Sequence, residues 1–542
     1  MNNAIFSFRE PKNEPILGYL KNSPERRTLE KELETQSNQT IEIPLIIGGK
    51  EVRTGKIGKV VMPHDHNHIL AHYHMATELE VQTAIDTALK AKYDWMNLSW
   101  VERSSIMLKA AELIAKKYRG KLNAATMLGQ GKNCYQAEID AACEVVDFLR
   151  FNAYFTSRIY LDQPLSGTDM INRLEYRSLE GFVFTISPFN FTAIASNLNT
   201  SVAIMGNTTV WKPATTSLLS SYYLMEIYKE AGIPEGVINF LPGPGSLIGK
   251  VALGHRDMAG IHFTGSTSTF NSLWKTVGER VHTYKSYPKL VGETGGKDFI
   301  FAHSSADPQE VATAIVRGGF EYQGQKCSAA SRAYIPKSLW KEIQDTIMQM
   351  LSEIKMGDVR DFDNFVNAVI DENSFDSIMQ YIEKARHSPD AKILIGGEGD
   401  KSKGYFIKPT VILAENPHFI TMEEEIFGPV MTIYVYEDNA YEETLKLCDN
   451  TSPYALTGAI FARDRYAMMM ACRTLRYAAG NFYFNDKPTG AMVGLQPFGG
   501  SRASGTNDKS GSQLNLLRWI NPRTIKETLL PATDYPYGYM ME

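Results

Sequence analysis

The chain has 542 residues, too many for one hydrophobic core, so two or three domains are expected. Hydrophobic residues make up 43% and charged residues 22%, the balance of an ordinary soluble globular protein. A formal net charge of -5 argues against a nucleic-acid binder, and no apolar run approaches the ~18 residues that span a bilayer.

In chain order, the segment MNNAIFSFREPKNEP carries Glu10 and Glu14 early and lacks an apolar core, which fits neither a secretory signal nor an acid-poor transit peptide. Residues 1–50 read as polar and irregular, with a helix over 24–35. His64, His66, His68, His72 and His74 crowd eleven residues, and three of them alternate. On a strand they would share a face that could ligate zinc, but Asp65 alone supports them, so the expectation is a solvent-facing strand without metal. Thr77 and Glu80 form a capping-box pattern before a helix with Val81, Ile85, Ala88 and Leu89 on one face. Ile106, Ala110, Leu113 and Ile114 mark a second amphipathic helix.

From residue 181 strands and helices alternate: a strand at 182–186, a helix from Thr192, a strand at 208–211, a helix at 218–231 stopped by Gly232, then strands at 237–241 and 260–263. This is the pattern of βαβ units on a parallel sheet, hence an α/β fold. A second alternation follows Glu293 and runs to about residue 500. Residues 521–542 read as an extended tail that needs a partner surface, and the final YGYMME matches no known address. The five cysteines, Cys134, Cys143, Cys327, Cys448 and Cys472, form no CxxC pair, which suggests reduced thiols and a cytoplasmic site. Sequons such as Asn38-Gln-Thr then carry no glycosylation.

The GxGxxG fingerprint is absent. Gly243-Pro-Gly245-Ser-Leu-Ile-Gly249 has its third glycine one residue late, and a P-loop reading of Lys250 fails at Pro244 and Val251, which leaves a glycine-rich turn into a helix. Phe263-Thr-Gly-Ser-Thr267 follows a strand and could open a helix toward phosphate. Cys327, in Gly324-Gln-Lys-Cys-Ser328, stands between flexible and basic residues, as a nucleophile or as an inert buried thiol. Glu293, in Leu290-Val-Gly-Glu-Thr-Gly-Gly-Lys297, is either a general base or a solvated loop acid. Asn190, just past a strand end, could donate to an oxyanion or simply cap a helix.

Together, the order and spacing of PFNF at 188–191, VWKP at 210–213, FTGST at 263–267, ETGGK at 293–297, GQKCS at 324–328, EEIFGP at 424–429 and PFGG at 497–500 resemble the aldehyde dehydrogenase superfamily over residues ~45–520. GQGK at 129–132, QAEIDAA at 136–142, FEYQGQKCSA at 320–329, NFYFNDK at 481–487 and PFGGSRASGTNDK at 497–509, with NEPILGY and SPER near the start, resemble its glutamate-semialdehyde (1-pyrroline-5-carboxylate) dehydrogenase subfamily.

The resemblance implies oxidation of L-glutamate γ-semialdehyde to glutamate through a cysteine thiohemiacetal and thioester, with NAD as cofactor. It implies Cys327 as nucleophile, Glu293 as base and Asn190 as oxyanion donor. Ser187, Lys212, Gly265, Ser266, Glu425 and Phe427 would contact the cofactor. Phe191, Ser328, Gly490, Ala491, Phe498 and Glu144 would contact the substrate. Thr215 stands where many members carry an NAD-favouring glutamate, and Phe270 replaces a common glycine.

The implied organisation is a Rossmann-like NAD-binding domain (1–148 and 170–293), an α/β catalytic domain (294–520) and a β-hairpin oligomerisation arm with tail (149–169 and 521–542). A homodimer or higher oligomer follows, with no nucleic-acid or membrane partner. The chain has no room for a proline dehydrogenase barrel, so proline catabolism would link it functionally to a separate proline dehydrogenase. The competing readings are an aldehyde dehydrogenase for another semialdehyde, a non-catalytic paralogue of the fold, and a cofactor-free cysteine hydrolase or acyltransferase.

Overall fold

The computed structural model describes residues 7–541, so the first six residues of the amino-terminal segment and the terminal Glu542 lie outside it. Two seven-stranded sheets dominate. The first has the order Lys289–Glu293, Met258–Thr264, Phe182–Ile186, Thr209–Lys212, Ile238–Phe240, Leu45–Ile47, Lys50–Val52. Its first five strands are parallel, and Leu45–Ile47 pairs antiparallel with both of its neighbours. Met258–Thr264 is buried along its whole length, as expected where both faces of a parallel sheet are covered. Neighbouring side chains serve opposite faces: Trp211 belongs to the core that includes Val202 and Leu224, whereas Val210 belongs to the core that includes Ile85 and Ile248.

The helices on those faces start and stop where local chemistry dictates. The Thr77 N–H donates to Glu80 Oε2 at 2.8 Å, which fixes the start of helix Glu78–Asn97. Helix Leu218–Ala231 ends at Gly232, whose φ of +103° favours glycine.

The second sheet has the order Ala391–Ile395, Thr410–Ala414, Val430–Tyr436, Ala330–Pro336, Asp298–Ala302, Thr457–Phe461, Asn481–Phe484, antiparallel at its first strand only. The first sheet ends at Glu293 and the second begins at Asp298, so residues 294–297 carry the chain from one to the other. This mixed α/β architecture places the carboxyl ends of the first sheet's parallel strands, and the amino end of strand Asp298–Ala302, around that junction.

Three expectations need correction. Residues 149–161 belong to helix Val145–Leu161, because Val145, Phe148, Leu149 and Asn152 recur at helical spacing on a buried face. The two-stranded ribbon is instead Met170–Ser178 paired antiparallel with Ile520–Thr528, so the start of the tail is one of its strands. His66, His68, His72 and His74 do lie on a strand, Asp65–His74, with His64 just before it, but the five do not share a solvent face. His64 and His74 are buried, His64 beside Asp358 (3.2 Å) and His74 beside Glu42 (2.5 Å), while His72 is exposed. The amino-terminal fifty residues are also more regular than expected, with strands Ile41–Ile43 and Leu45–Ile47.

Candidate active site

Cys327 reaches the junction through an unusual turn. Helix Pro308–Phe320 ends, and Tyr322, Gln323 and Gly324 follow with φ of 52°, 56° and 67°. Two consecutive non-glycine residues in the left-handed region cost energy that outside contacts must offset. Those contacts come from GQGK: Tyr322 Oη donates to the Gln130 carbonyl (3.0 Å), and Gln323 Nε2 donates to the Gly131 carbonyl (2.8 Å). Gln323 also donates to the Ala368 carbonyl and accepts from the Asn367 N–H (3.0 Å), while Gln325 accepts from the Ile370 N–H (2.8 Å). At Gly324 a Cβ would sit 2.2 Å from the Gly428 carbonyl oxygen, so only glycine fits.

Glu293 closes strand Lys289–Glu293, and its Oε1 lies 3.9 Å from Cys327 Sγ. The glycines of ETGGK permit the approach. A Cβ on Gly296 would fall 2.2 Å from the Cys327 carbonyl oxygen, and one on Gly295 would fall 2.2 Å from a Glu425 carboxylate oxygen. Burial pushes the Glu293 carboxyl up to about 7 and raises the Cys327 thiol well above its ordinary value. The Glu293 and Asp298 carboxylates raise the thiol further, and the Ser328 N–H opposes them. A thiol so placed needs a base to ionise it, and Glu293 is poised to act near neutral pH.

Asn190 is buried, and its Nδ2 donates to the Gln325 carbonyl at 3.0 Å, two residues before the cysteine. It is not a helix cap. Phe191 holds the N-cap position of helix Thr192–Ile204, and Asp140 supplies the capping carboxylate from a distance, accepting from the Thr192 and Ala193 N–H groups (3.0 and 2.8 Å). Asp140 also pairs with buried Lys132 at 2.7 Å. The Asn190 side chain is thus tied to the backbone that leads into Cys327, with its second amide hydrogen not used in that bond.

Cys327 and Glu293 open into a cavity of about 250 Å³. Its wall includes Phe191, Phe498, Ser328, Gly490, Ala491 and Glu144, all six substrate residues expected from sequence. Ser328 Oγ and Thr489 Oγ1 are hydrogen-bonded at 2.9 Å, and Gly490 has φ of +95°. The same wall carries Arg317, Lys326 and Lys487 as well as Glu144, Asp147 and Glu321, a mixture of signs suited to a ligand with both charges. Burial, followed by the Asp140 carboxylate, holds the Glu144 carboxyl well above its usual range, and a cation beside it would favour its ionised form.

The expected nucleotide residues cluster at the carboxyl edge of the first sheet. Lys212 ends one strand, and its carbonyl accepts from the Ser187 N–H (3.2 Å) on the neighbouring strand. Ser187 Oγ accepts from the Trp211 indole at 2.9 Å. The Gly265 N–H donates to the Glu293 carbonyl (3.2 Å), and Ser266 caps helix Thr267–Glu279. Glu425 Oε1 accepts from the Gly296 N–H at 2.9 Å, and Phe427, with φ of +58°, sets its ring edge-on to Phe189 at 5.9 Å.

These residues fit a dinucleotide. Burial depresses the Lys212 ammonium with no acidic group to offset it, leaving a cation in need of an oxygen partner. The helices Gly245–Gly254 and Thr267–Glu279 start at the same sheet edge, where their N-termini favour phosphate. Phe270 stacks on Phe263 (centroids 5.4 Å apart) and covers Gly292, so the departure from glycine fills core space.

Sequence reasoning missed Thr489, Lys326, Lys487 and Lys509, although all but Thr489 lie inside the quoted motifs. It also missed Glu14 and Ile16, which reach the cavity from the amino-terminal segment. No local pattern could have signalled that approach. Among the described residues no group of three or more His, Cys, Asp or Glu side chains is placed to hold a metal, and no helix is long and apolar enough to cross a membrane.

The model of the aldehyde dehydrogenase family matches residues 51–525. The chain is 53% identical over 535 residues to the mitochondrial delta-1-pyrroline-5-carboxylate dehydrogenase of Dictyostelium discoideum, covering 98% of this chain and 96% of that protein. It superposes on the delta-pyrroline-5-carboxylate dehydrogenase of Mycobacterium tuberculosis bound with NAD with a TM-score of 0.97, at 48% identity and complete coverage of both chains. It also matches proline utilization A of Bdellovibrio bacteriovorus with a TM-score of 0.91 at 29% identity, covering 97% of this chain and 54% of that one.

Proposed function

Because the chain belongs to the aldehyde dehydrogenase family, we propose that it oxidises L-glutamate γ-semialdehyde, the open form of 1-pyrroline-5-carboxylate, to L-glutamate with NAD, a step of proline catabolism. The observation that carries the reading is the cavity: a thiol and a carboxylate 3.9 Å apart on one side, and charges of both signs around the small residues Gly490 and Ala491 on the other. An α-amino acid end needs such a mixed wall; a fatty aldehyde does not.

In the proposed mechanism Glu293 takes the proton of the Cys327 thiol, and the sulfur bonds to the aldehyde carbon. The carbonyl oxygen gains the negative charge, which the Asn190 amide and the Cys327 N–H receive. When bound, NAD supplies the hydride acceptor that converts the thiohemiacetal to a thioester. Lys212, Ser266 and Glu425 would hold the cofactor's ribose and phosphate groups, with Gly265 and Ser187 giving room at the strand ends, and Phe427 would pack near the nicotinamide. Glu293 releases the thiol proton to solvent and then removes a proton from water, the hydroxide adds to the thioester carbon, and the C–S bond breaks to release glutamate and regenerate the cysteine. Phe191 and Phe498 flank the aliphatic stem. Ser328, Gly490 and Ala491 receive the α-carboxylate, and Glu144 receives the α-ammonium.

The ribbon of Met170–Ser178 and Ile520–Thr528 has exposed outer edges, and Leu529, Leu530, Tyr535 and Tyr537 beyond it are exposed. A second copy covering these edges supports a homodimer or higher oligomer. The five free thiols support a reducing, cytoplasmic location, and subcellular fractionation separates this from the mitochondrial placement of the Dictyostelium relative. The likeness to proline utilization A supports a functional link to a proline dehydrogenase on another chain.

Steady-state kinetics on a panel of aldehydes with NAD and with NADP test the assignment. The highest kcat/KM is expected for L-glutamate γ-semialdehyde with NAD. A preferred substrate without the α-amino acid end refutes it.

A further inference from the structure

The amino-terminal segment runs along the substrate cavity, and residues 13–19 bond to side chains and carbonyls more than a hundred residues away in sequence. It is held by charge: Glu14 pairs with Arg119 (2.7 Å) and Arg150 (2.6 Å), and the Leu17 N–H and Tyr19 Oη donate to buried Glu138 (2.9 and 2.7 Å). Ile16 and Glu14 reach the cavity wall from this strap. Between them and the loop that receives the anionic end of the substrate stands Asn13. Its side-chain NH₂ has two hydrogens and spends both: Nδ2 donates to Asp147 Oδ2 at 2.8 Å and to the Val493 carbonyl at 2.9 Å. The Glu14 N–H donates to the other Asp147 oxygen at 2.7 Å.

The loop needs outside support. Residues 489–497 lie in no strand or helix, and Gly490 and Gly494 both have positive φ, so its backbone has little intrinsic preference for this shape. A Cβ on Gly494 would lie 2.1 Å from the Phe151 ring, so the loop is pressed onto the helix that also carries Asp147. Asn13 joins that helix to the loop three residues beyond Gly490.

Resting on the function proposed above, we propose that the strap is the outer wall of the substrate channel and that Asn13 is a positioning residue, ordering residues 490–493 for the substrate's carboxylate. Asn13 touches no reacting atom, and its effect is confined to substrates that use the loop.

Asn13→Asp tests this without changing size: it removes both donors and sets a carboxylate against Asp147. Asn13→Ala is the second variant. Both are expected to raise KM for L-glutamate γ-semialdehyde about five- to twentyfold, the worth of one or two hydrogen bonds to a carboxylate and a carbonyl. The kcat should stay within about twofold, and KM for NAD and for propanal, which has no carboxylate, should be unchanged. Amide hydrogen exchange of residues 490–494 should accelerate about tenfold or more. Unchanged exchange overturns the proposal, as does an unchanged KM for the semialdehyde or an equal rise for propanal. If the unmodified protein does not prefer the semialdehyde, the function is wrong, and the exchange comparison still decides whether Asn13 orders the loop.

Discussion

Glu293 Oε1 stands 3.9 Å from Cys327 Sγ, on the last residue of one parallel sheet and facing a turn that leads into the other. The proposed chemistry depends on that pairing, because burial makes the thiol reluctant to ionise while giving the carboxylate a proton affinity near neutrality.

Cys327→Ser is expected to lower dehydrogenase turnover about 10³-fold or more, since a hydroxyl is a far weaker nucleophile at neutral pH. NAD titration by intrinsic fluorescence should give an affinity within about twofold of the unmodified protein. Retained turnover would remove Cys327 from the mechanism.

Glu293→Ala should give a slowed but still stoichiometric burst of NADH followed by far slower turnover, because the thiol must then lose its proton to water and the thioester that forms has no base to activate its hydrolytic water. In the unmodified protein the hydrolytic rate should rise with pH through about 7 and then level off, since the carboxylate is the active form and its folded value is about 7.

Glu293→Gln bears on stability. The folded value of this acid is raised above its unfolded one, so ionisation opposes folding; the penalty is absent below about 4.5, grows as pH rises and is complete above about 7. The neutral amide should therefore melt at or above the unmodified protein's temperature at pH 8, with the advantage lost at pH 5. Lower melting at both pH values would contradict the burial argument.

Gly296→Ala should destabilise the fold by about 2–4 kcal/mol and abolish most activity, because its Cβ would collide with the Cys327 carbonyl at 2.2 Å and with Asp298 Oδ2 at 2.4 Å. Urea unfolding and steady-state rates check this together.

Gln323→Ala should cost about 2–4 kcal/mol in urea unfolding, because it leaves the Gly131 and Ala368 carbonyls and the Asn367 N–H without the side chain that satisfies them around a left-handed turn. Normal stability would mean that the turn is held by other contacts.

Much of this was legible in the chain. Strand Phe182–Ile186 and helix Leu218–Ala231 follow from β-rich and 3.6-residue patterns with local stop signals. The reactive trio resisted local reading, since Asn190, Glu293 and Cys327 each had a plain structural alternative; only their joint order, and then the cavity, separates the two. GQGK and FEYQGQKC look unrelated in sequence, yet the side chains of Tyr322 and Gln323 bond the Gln130 and Gly131 carbonyls. The ribbon was misplaced because its strands, Met170–Ser178 and Ile520–Thr528, are about 350 residues apart and half-exposed, so neither carries a strong apolar alternation. The strap at 13–17 was unreadable as part of the site, because its partners are charged groups on distant helices.

Acid-quenched Glu293→Ala protein, mixed with L-glutamate γ-semialdehyde and NAD and mapped by tandem mass spectrometry, tests the central claim most directly. The account predicts about one equivalent of NADH per chain and a glutamyl group on Cys327. An unmodified Cys327, or the acyl group on any other residue, would contradict it.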